Sequence, residues 1–339
     1  MTAPTPAESY ISWLRSHIGR RRIFHIGSIA AVRDEEGRLL VMRRSDTGDW
    51  DLPGGAMNLG ETLTEALVRE VREETGFRVE PTRLVGIYTE PRLQEYTYPN
   101  GDQIQGWDAL FECCIVGGTL QALDGEALDL AFVPLQDLTF DFPVLNLMKD
   151  DLLAGREWAR FDPPGLPSES TEDYYALLRP YIGHAPLLLP GTAACIRNQR
   201  GHILLQRRSD CGLWGFPGGG QNLGETATQA VVREVNEETG LHIEPMSLIG
   251  AYGDLSFART LSNGDRVQPV VAFFNARAIG GQLRAHSPET LELGYFPADN
   301  LPPMLHCCQV KLRDALAWQR AAFFRQIPVA RDRNRGPSP

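Results

Sequence analysis

The sequence predicts an α/β protein built from two tandem copies of one domain. A segment of 23 residues rich in glutamate occupies positions 55–77 and recurs at 219–241, and we call these segments the first and second boxes. The surrounding sequence repeats as well, and each copy alternates strand patterns with helix patterns. The length of 339 residues suits two domains of ordinary size.

The repeat extends well beyond the boxes. The copies are offset by 164 residues up to Pro91, by 163 from Asn100, and by 160 at the last helix. Each copy is predicted to contain an amphipathic helix, two strands joined by a glycine turn, the box helix, further strands with a hairpin turn, and a terminal helix. The matching segments are 10–19 and 174–183, 27–55 and 191–219, 100–102 and 263–265, and 143–158 and 303–318.

The repeat also predicts the domain boundaries. We expect a first domain over 1–160 and a second over 174–325. The segment 161–173 between them is rich in proline, serine and acidic residues, which is typical of a linker. The tail 326–339 has the composition of a disordered segment.

Composition narrows the class of protein. The net charge of −10 argues against a nucleic-acid polymer as partner, because polyanion binders need a positive surface. No apolar run is long enough to span a membrane and the N-terminus lacks a signal pattern, so we expect a cytoplasmic protein. Six cysteines occur without a CxxC spacing, which disfavours a zinc site or a disulfide framework.

The first box predicts a helix over about Glu61 to Thr75, with Asn58 or Gly60 as its N-cap and Gly76 at its end. Glu70, Glu73 and Glu74 then lie within an arc of about 100° on one helix face. Like charges at this spacing cost roughly 0.2–0.5 kcal/mol per pair, and the last turn of a helix disfavours anions. Such unfavourable clusters occur at functional sites, and hard carboxylate oxygens are ligands for Mg²⁺ or Mn²⁺.

The two boxes resemble the Nudix box, in which glycine, glutamate and an Arg-Glu-aliphatic-x-Glu-Glu-x-Gly-hydrophobic run stand at fixed spacing. The only departure is Phe77, where the family usually has an aliphatic residue. The resemblance implies an α/β/α sandwich with a mixed β-sheet, the Nudix fold, in two tandem copies. The matching positions are Gly55, Glu61, Arg69, Glu70, Val71, Glu73, Glu74, Gly76 and Phe77, and then Gly219, Glu225, Arg233, Glu234, Val235, Glu237, Glu238, Gly240 and Leu241.

The resemblance further implies a hydrolase, using Mg²⁺ or Mn²⁺, that cleaves nucleoside diphosphates linked to another group X. Carboxylates of each box, together with the backbone carbonyl of a glycine, are the implied metal ligands, and the box arginine is expected to orient a carboxylate. Glu61 and Glu225 are expected in the first helical turn, where the helix dipole alone would favour them. The implied residues are Gly55, Arg69, Glu70, Glu73 and Glu74 in the first copy and Gly219, Arg233, Glu234, Glu237 and Glu238 in the second.

Further candidates lie outside the boxes. Many Nudix enzymes use an additional loop carboxylate before the last strand as base or metal ligand, and Glu126 and Glu289 occupy that place here, with Asp129 and Glu292 as alternatives. A tryptophan before each Pro-Gly-Gly turn could stack on a base or belong to the core. One arginine of each Arg-Arg pair could reach phosphate or face solvent. These substrate-binding candidates are Trp50, Arg44, Trp214 and Arg208.

The sequence leaves the nucleotide substrate open. Nucleoside triphosphates, oxidised nucleotides, ADP-ribose and nucleotide sugars are all compatible with the resemblance, whereas a 5′-end RNA substrate is disfavoured by the acidic balance. The alternative class is a nucleotide-sensing module, in which one or both sites bind without turnover. Because many Nudix proteins are homodimers, the tandem arrangement also suggests an intramolecular pseudo-dimer of the two domains.

Overall fold

A computed structural model describes residues 4, 8–123, 125–165, 171–285 and 287–324. Its first unit contains four helices and eight strands, together with a short 3₁₀ turn at Leu135–Asp137. In chain order these are α1 (Tyr10–Ile18), β1 (Ile23–Val32), β2 (Leu39–Arg44), β3 (Trp50–Asp51), β4 (Gly54–Ala56), α2 (Leu63–Thr75), β5 (Phe77–Tyr88), α3 (Pro91–Gln94), β6 (Glu95–Thr97), β7 (Gln103–Gly118), β8 (Ala127–Val133) and α4 (Pro143–Ala154).

The second unit repeats this order with small differences. At the position of β4 a single β-bridge joins Gly191 and Gly220, and a 3₁₀ turn at Leu255–Phe257 replaces α3. Its elements are α5 (Tyr174–Ile182), β9 (Leu187–Ile196), β10 (Ile203–Arg208), β11 (Trp214–Gly215), α6 (Ala227–Thr239), β12 (Leu241–Tyr252), β13 (Arg259–Thr260), β14 (Arg266–Gly281), β15 (Thr290–Phe296) and α7 (His306–Ala317).

Each unit contains a larger mixed sheet and a smaller antiparallel one. In the first unit β1 pairs with β7 in parallel, from Ile23 opposite Ile104 to Val32 opposite Cys113, while β5 pairs with β7 antiparallel. In the second unit β9 and β12 pair with β14 in the same two senses. The smaller sheets have the orders β3-β2-β8 and β11-β10-β15.

Helices cover both faces of the larger sheet. Along β1, Ala30 and Val32 enter the apolar cluster that contains Leu67 and Val71 of α2. Ala31 points the other way, into a cluster with α4, because successive strand residues face opposite sides. The predicted sandwich with a mixed sheet, in two copies, is therefore confirmed.

The box helices begin later than the sequence suggested. The N-cap of α2 is Thr62, not Asn58 or Gly60, and it forms a reciprocal capping box with Glu65. Thr226 and Gln229 make the same arrangement at α6. A threonine followed three residues later by Glu or Gln satisfies two backbone N–H groups at once. This reciprocal pair therefore determines where the helix begins, in preference to a cap residue that satisfies one N–H group. The left-handed cap at Gly76 agrees with the prediction.

The two units share one apolar core. A continuous cluster of buried side chains includes residues of both, and the rings of Phe24 and Tyr174 meet edge to face at 4.9 Å. The segments that follow the terminal helices cross over: Phe161 packs on Phe274 of the second unit, and Phe324 packs on Phe111 of the first.

The predicted disordered tail 326–339 lies outside the described residues, as do positions 166–170 of the predicted linker. The described ends of the linker are attached to the protein. Asp162 is buried and accepts a hydrogen bond from the Thr89 backbone N–H, and Glu172 pairs with Leu223. Among the described helices, none combines the length and apolar character that crossing a lipid bilayer requires.

Candidate active sites

The three box carboxylates of each unit extend from the interior to the surface. The buried Glu74 carboxylate accepts a hydrogen bond of 2.8 Å from the Gly54 N–H, and Glu238 accepts one of 2.7 Å from Gly218. The side chain of Glu70 is 16% exposed, whereas that of Glu73 is 51% exposed. One helix face thus presents a carboxylate anchored to the strand end, a half-buried one and a solvated one.

Glycine is required where the box approaches the sheet. A Cβ at Gly55 would lie 2.6 Å from Cδ of Glu70, and one at Gly219 would lie 2.5 Å from Cδ of Glu234. Such contacts are far inside van der Waals distance, so only glycine lets the glutamate pack directly on the backbone. The preceding Gly54 has φ 152°, a conformation that side chains rarely adopt.

Each box arginine binds several carboxylates at once. Arg69 donates from Nε and Nη2 to the two oxygens of Glu61, at 2.6 and 2.9 Å. Its Nη1 lies 2.7 Å from Glu70 and 3.3 Å from Glu73. Arg233 makes the same contacts with the equivalent glutamates, at 2.6, 2.9, 2.8 and 3.3 Å.

The sequence prediction that Glu61 and Glu225 lie in the first helical turn is wrong. Both precede the N-cap, so the helix dipole does not explain them. Each carboxylate instead bridges the box arginine to a loop N–H, that of Asn58 or Asn222, at 2.8 and 2.9 Å. Together with the box arginine, these glutamates hold the loop that leads into the helix.

Burial opposes ionisation of the box carboxylates. It raises the pKa of Glu70, against the effect of Arg69, and the negative charges of Glu73 and Glu126 raise it further. The pKa of Glu234 is raised by burial in the same way, with Glu237 and Glu289 as the like charges. Burial also raises the pKa of Glu238 to about 8. These groups crowd negative charge into a site of low polarity, which a cation would relieve.

The donor set fits Mg²⁺ or Mn²⁺ in chemistry. Both ions prefer carboxylate and carbonyl oxygens, which are what Glu70, Glu74 and Gly55 offer. The carbonyl of Gly219 already accepts from the Thr192 N–H at 2.9 Å, and a carbonyl has a second lone pair for a ligand. In the part of the chain that the structure describes, no three His, Cys, Asp or Glu side chains converge as a ready-made metal site.

The loop carboxylates lie beside the boxes. Glu126 and Glu289 are exposed at the start of β8 and β15, and their charges act on Glu70 and Glu234 respectively. The alternatives lie farther along the same strands, where Glu292 forms an ion pair of 3.4 Å with Arg207. Of the two candidate pairs, Glu126 and Glu289 are therefore the ones whose charges raise the pKa of the box glutamates.

A cavity of about 940 Å³ opens on the second box. Its lining includes the three box glutamates, Arg208 and Glu289. It also includes residues that the sequence analysis did not propose for the site: Phe257, Arg259, Cys307, Cys308 and Lys311. Lys311 could have been noticed in the sequence, because the equivalent position of the first unit is the oppositely charged Asp151.

The tryptophan and arginine candidates differ in position. Trp214 is buried edge to face against Phe296 at 4.8 Å and is not part of the cavity wall, so the structure favours its core role. Trp50 is half-buried on β3. Arg208 lines the cavity and pairs with Asp210 at 2.9 Å, while Arg44 pairs with Asp46 at 2.7 Å.

Comparison with known proteins identifies the family. A family model described as the NUDIX domain matches residues 23–152 and again residues 187–319. The chain belongs to the NUDIX family. The two matches cover more than half of the chain, and they confirm the prediction of a tandem protein with two Nudix domains.

Several Nudix relatives each match part of the chain. A MutT-like protein from Streptomyces ambofaciens is 52% identical over 65 residues, which cover 19% of this chain and 42% of that protein. An ADP-ribose pyrophosphatase from Methanocaldococcus jannaschii is 32% identical over 114 residues, covering 33% and 63% of the respective chains. Nucleoside triphosphatase NudI from an Enterobacter species is 36% identical over 113 residues, covering 32% and 79%.

The first two of these matches span less than two thirds of the relative's own length. Among solved structures, an ADP-ribose pyrophosphatase from Streptococcus suis is 26% identical and covers 40% of this chain and 97% of its own, with a TM-score of 0.33. None of the three relatives matches more than 33% of this chain.

Proposed function

We propose that the protein is a divalent-metal-dependent pyrophosphohydrolase that cleaves nucleoside diphosphates linked to a group X, with a site in each unit. The observation that carries this proposal is the duplication of one arrangement: a glutamate packed on a glycine, a glutamate anchored to the strand end, and an arginine that binds three carboxylates. The named relatives act on different nucleotides, so the proposal extends to this class of substrate and not to one compound.

In this mechanism Glu70 and Glu74 would hold the metal in the first unit, with Glu73 as an outer group, and Glu234, Glu238 and Glu237 would do so in the second. The ion, when bound, neutralises phosphate charge and lowers the pKa of a water molecule. Arg69 and Arg233 fix the direction of the half-buried glutamate through their hydrogen bonds. Glu126 and Glu289 are the proposed bases, because each lies on an exposed loop whose charge reaches the box.

We also propose that the chain forms an intramolecular pseudo-dimer of domains 1–160 and 174–325. The shared core, and the aromatic side chains that cross between units, support this arrangement. Size-exclusion chromatography with light scattering is expected to give the mass of a single chain of 37.7 kDa. A mass of two chains would argue against an internal pair that replaces the dimer.

The test of the hydrolase is product release from a panel of nucleotides with Mg²⁺ or Mn²⁺. The panel contains nucleoside di- and triphosphates, oxidised nucleotides, ADP-ribose, nucleotide sugars and dinucleoside polyphosphates. It is run on the wild type, on Glu70→Gln, on Glu234→Gln and on the double variant. We expect the double variant to lose turnover while it stays folded, because the change relieves repulsion between carboxylates.

The pattern across the single variants separates the remaining possibilities. Partial loss in each would indicate two working sites, and complete loss in one would indicate one working and one auxiliary site. Full activity in the double variant would overturn the assignment of the metal face. Tight binding of one compound without turnover of any would favour the nucleotide sensor.

A further inference from the structure

The terminal helices of the two units carry opposite charges at one equivalent position. Asp151 on α4 and Lys311 on α7 correspond in the repeat, and both lie against equivalent tyrosines at the ends of β5 and β12. Tyr88 donates a hydrogen bond of 3.0 Å to Asp151, whereas the ammonium of Lys311 lies 5.9 Å from the ring centre of Tyr252. Tyr252 donates a hydrogen bond of 2.8 Å to Asp314, three residues beyond Lys311, so both tyrosines keep a carboxylate partner while the charge at the equivalent helix position differs.

Arginines compensate the charge of Asp151, whereas no carboxylate of the described residues forms an ion pair with Lys311. Arg160 lies 3.1 Å from Asp151, and Arg156 forms a second ion pair with it. Lys311 is 5% exposed, and across the described residues neither an ion pair nor a hydrogen bond engages its ammonium. The ring centres of Tyr252 and Phe257 lie 5.9 and 5.5 Å from the ammonium, and these rings stabilise a buried cation without neutralising its charge.

The buried ammonium lines the same cavity as the second box. That cavity also contains Arg259, which is exposed, forms no ion pair among the described residues, and lines a second cavity beside Glu61 and Arg69 of the first box as well. The equivalent position in the first unit is Tyr96. Two further acids of the first unit, Asp51 and Asp108, correspond to uncharged residues in the second, Gly215 and Val271.

A buried charge costs several kcal/mol unless an opposite charge joins it. The glutamates of the same cavity form no ion pair with Lys311 in the described chain, and a bound nucleotide would bring a phosphate as the opposite charge. We propose that Lys311 is a substrate-binding residue that takes an anionic phosphate oxygen at the second site, and that the first site lacks this contact. This inference deepens the proposed function, on which it rests for the class of ligand.

A thiol lines the same cavity as Lys311. The pKa of Cys307 is lowered first by its hydrogen bond with Cys308, against the opposing effect of burial, and then by the Lys311 and Arg259 charges. A thiolate there would face the cations before a ligand arrives, so the experiment includes Cys307→Ser. If the thiolate were the true partner of Lys311, this substitution would change stability and leave phosphate affinity unchanged.

The experiment measures affinity for two probes in the presence of Mg²⁺. Inorganic tripolyphosphate carries phosphate without a base, and adenosine carries a base without phosphate. The full chain is used with Glu70→Gln and Glu74→Gln, which neutralise the first box, and calorimetry compares Lys311→Met, Lys311→Arg and Arg313→Met. The last variant is a matched control, because Arg313 is an exposed cation on the same helix.

We expect Lys311→Met to weaken tripolyphosphate binding at least about tenfold, with adenosine unaffected, because a charged hydrogen bond is lost. Lys311→Arg should retain most of the affinity, and Arg313→Met all of it. Thermal unfolding is the second readout: removing an uncompensated buried charge should leave the melting temperature unchanged or raise it.

Equal tripolyphosphate affinity in Lys311→Met and in Arg313→Met would overturn the inference. So would an equal loss for adenosine, or a fall in melting temperature without a change in affinity. Since these are binding measurements, they remain decisive if the chain turns over no nucleotide, which separates this inference from the proposed hydrolase.

Discussion

Gln105 and Gln268 occupy equivalent positions in the two units, and each holds the box loop of the other unit. Gln268 accepts from the Gly60 N–H at 2.8 Å and donates to the Glu61 carbonyl at 2.8 Å. Gln105 makes the same pair of bonds with Gly224 and Glu225, at 2.7 and 3.0 Å. Each box arginine is therefore held by a glutamate whose own backbone is fixed from the opposite unit.

This exchange predicts that each glutamine supports the site in the other unit. With the first box disabled by Glu70→Gln, Gln105→Ala should lower kcat/KM at the second box by about tenfold or more, because two buried hydrogen bonds to its loop are lost. Gln103→Ala is the control on the same strand, since Gln103 is exposed. Unchanged kcat/KM at the second box in Gln105→Ala would contradict the cross-unit support.

The packing of Glu234 on Gly219 predicts a sharp contrast between adjacent glycines. Gly219→Ala should reduce activity of the second site by about 100-fold, because the added Cβ displaces the glutamate by the order of an ångström. At Gly220 a Cβ would meet nothing within 4 Å, and the first unit already has Ala56 there. Steady-state kinetics in the Glu70→Gln background distinguish the two, and equal effects would refute the steric account.

The bidentate contact of Arg233 predicts that lysine cannot replace it. Lys has one point charge, whereas the guanidinium reaches both oxygens of Glu225 and also Glu234. Arg233→Lys should lower kcat at the second site by about tenfold or more with little change in melting temperature. Arg207→Lys, on β10 beside the exposed Glu292, serves as the comparison. Unchanged kcat in Arg233→Lys would mean that a general positive charge suffices.

Asp108 predicts a dependence of stability on pH. It lies buried next to Gln94, and burial raises the pKa of Asp108 to about 7, from 3.8. A raised folded-state pKa gives stability that is present below about pH 4 and lost as the pH rises through about 7. In metal-free buffer, Asp108→Asn should gain stability over the wild type by about 1.4 kcal/mol per pH unit across that window.

Chemical denaturation at pH 4, 6 and 8 measures this difference. The two proteins should be equally stable at pH 4 and should diverge toward pH 8. Asp137→Asn, at an exposed position, should follow the wild type throughout. An Asp108→Asn variant that loses stability at every pH would show that the ionised carboxylate is favoured in the fold.

The parts of the fold governed by local pattern were predictable. The box helix, its end at Gly76 and the offset between copies follow from residue spacing. The start of the helix was misassigned because Gly60 and Thr62 are both acceptable caps, and the reciprocal bond to Glu65 decides between them.

The contacts that connect the two units could not be predicted from the sequence. Nothing in the local pattern marks Gln105 or Gln268, because their partners lie more than a hundred residues away. The position of Lys311 in the cavity likewise depends on how α7 packs against β12. The charge reversal between the copies is visible in the sequence, but its meaning depends on the burial of both side chains and on their partners.

The different residues at the equivalent positions 151 and 311 have an evolutionary consequence. A dimer of identical chains receives every substitution at both sites, so a change that improves one site also alters the other. In a tandem chain each site accumulates its own changes while the shared contacts persist. Met42 and Gln206, buried at equivalent positions, are a second example of such divergence. Gene duplication with fusion thus allows one domain to specialise while the other domain keeps the contacts that hold both together.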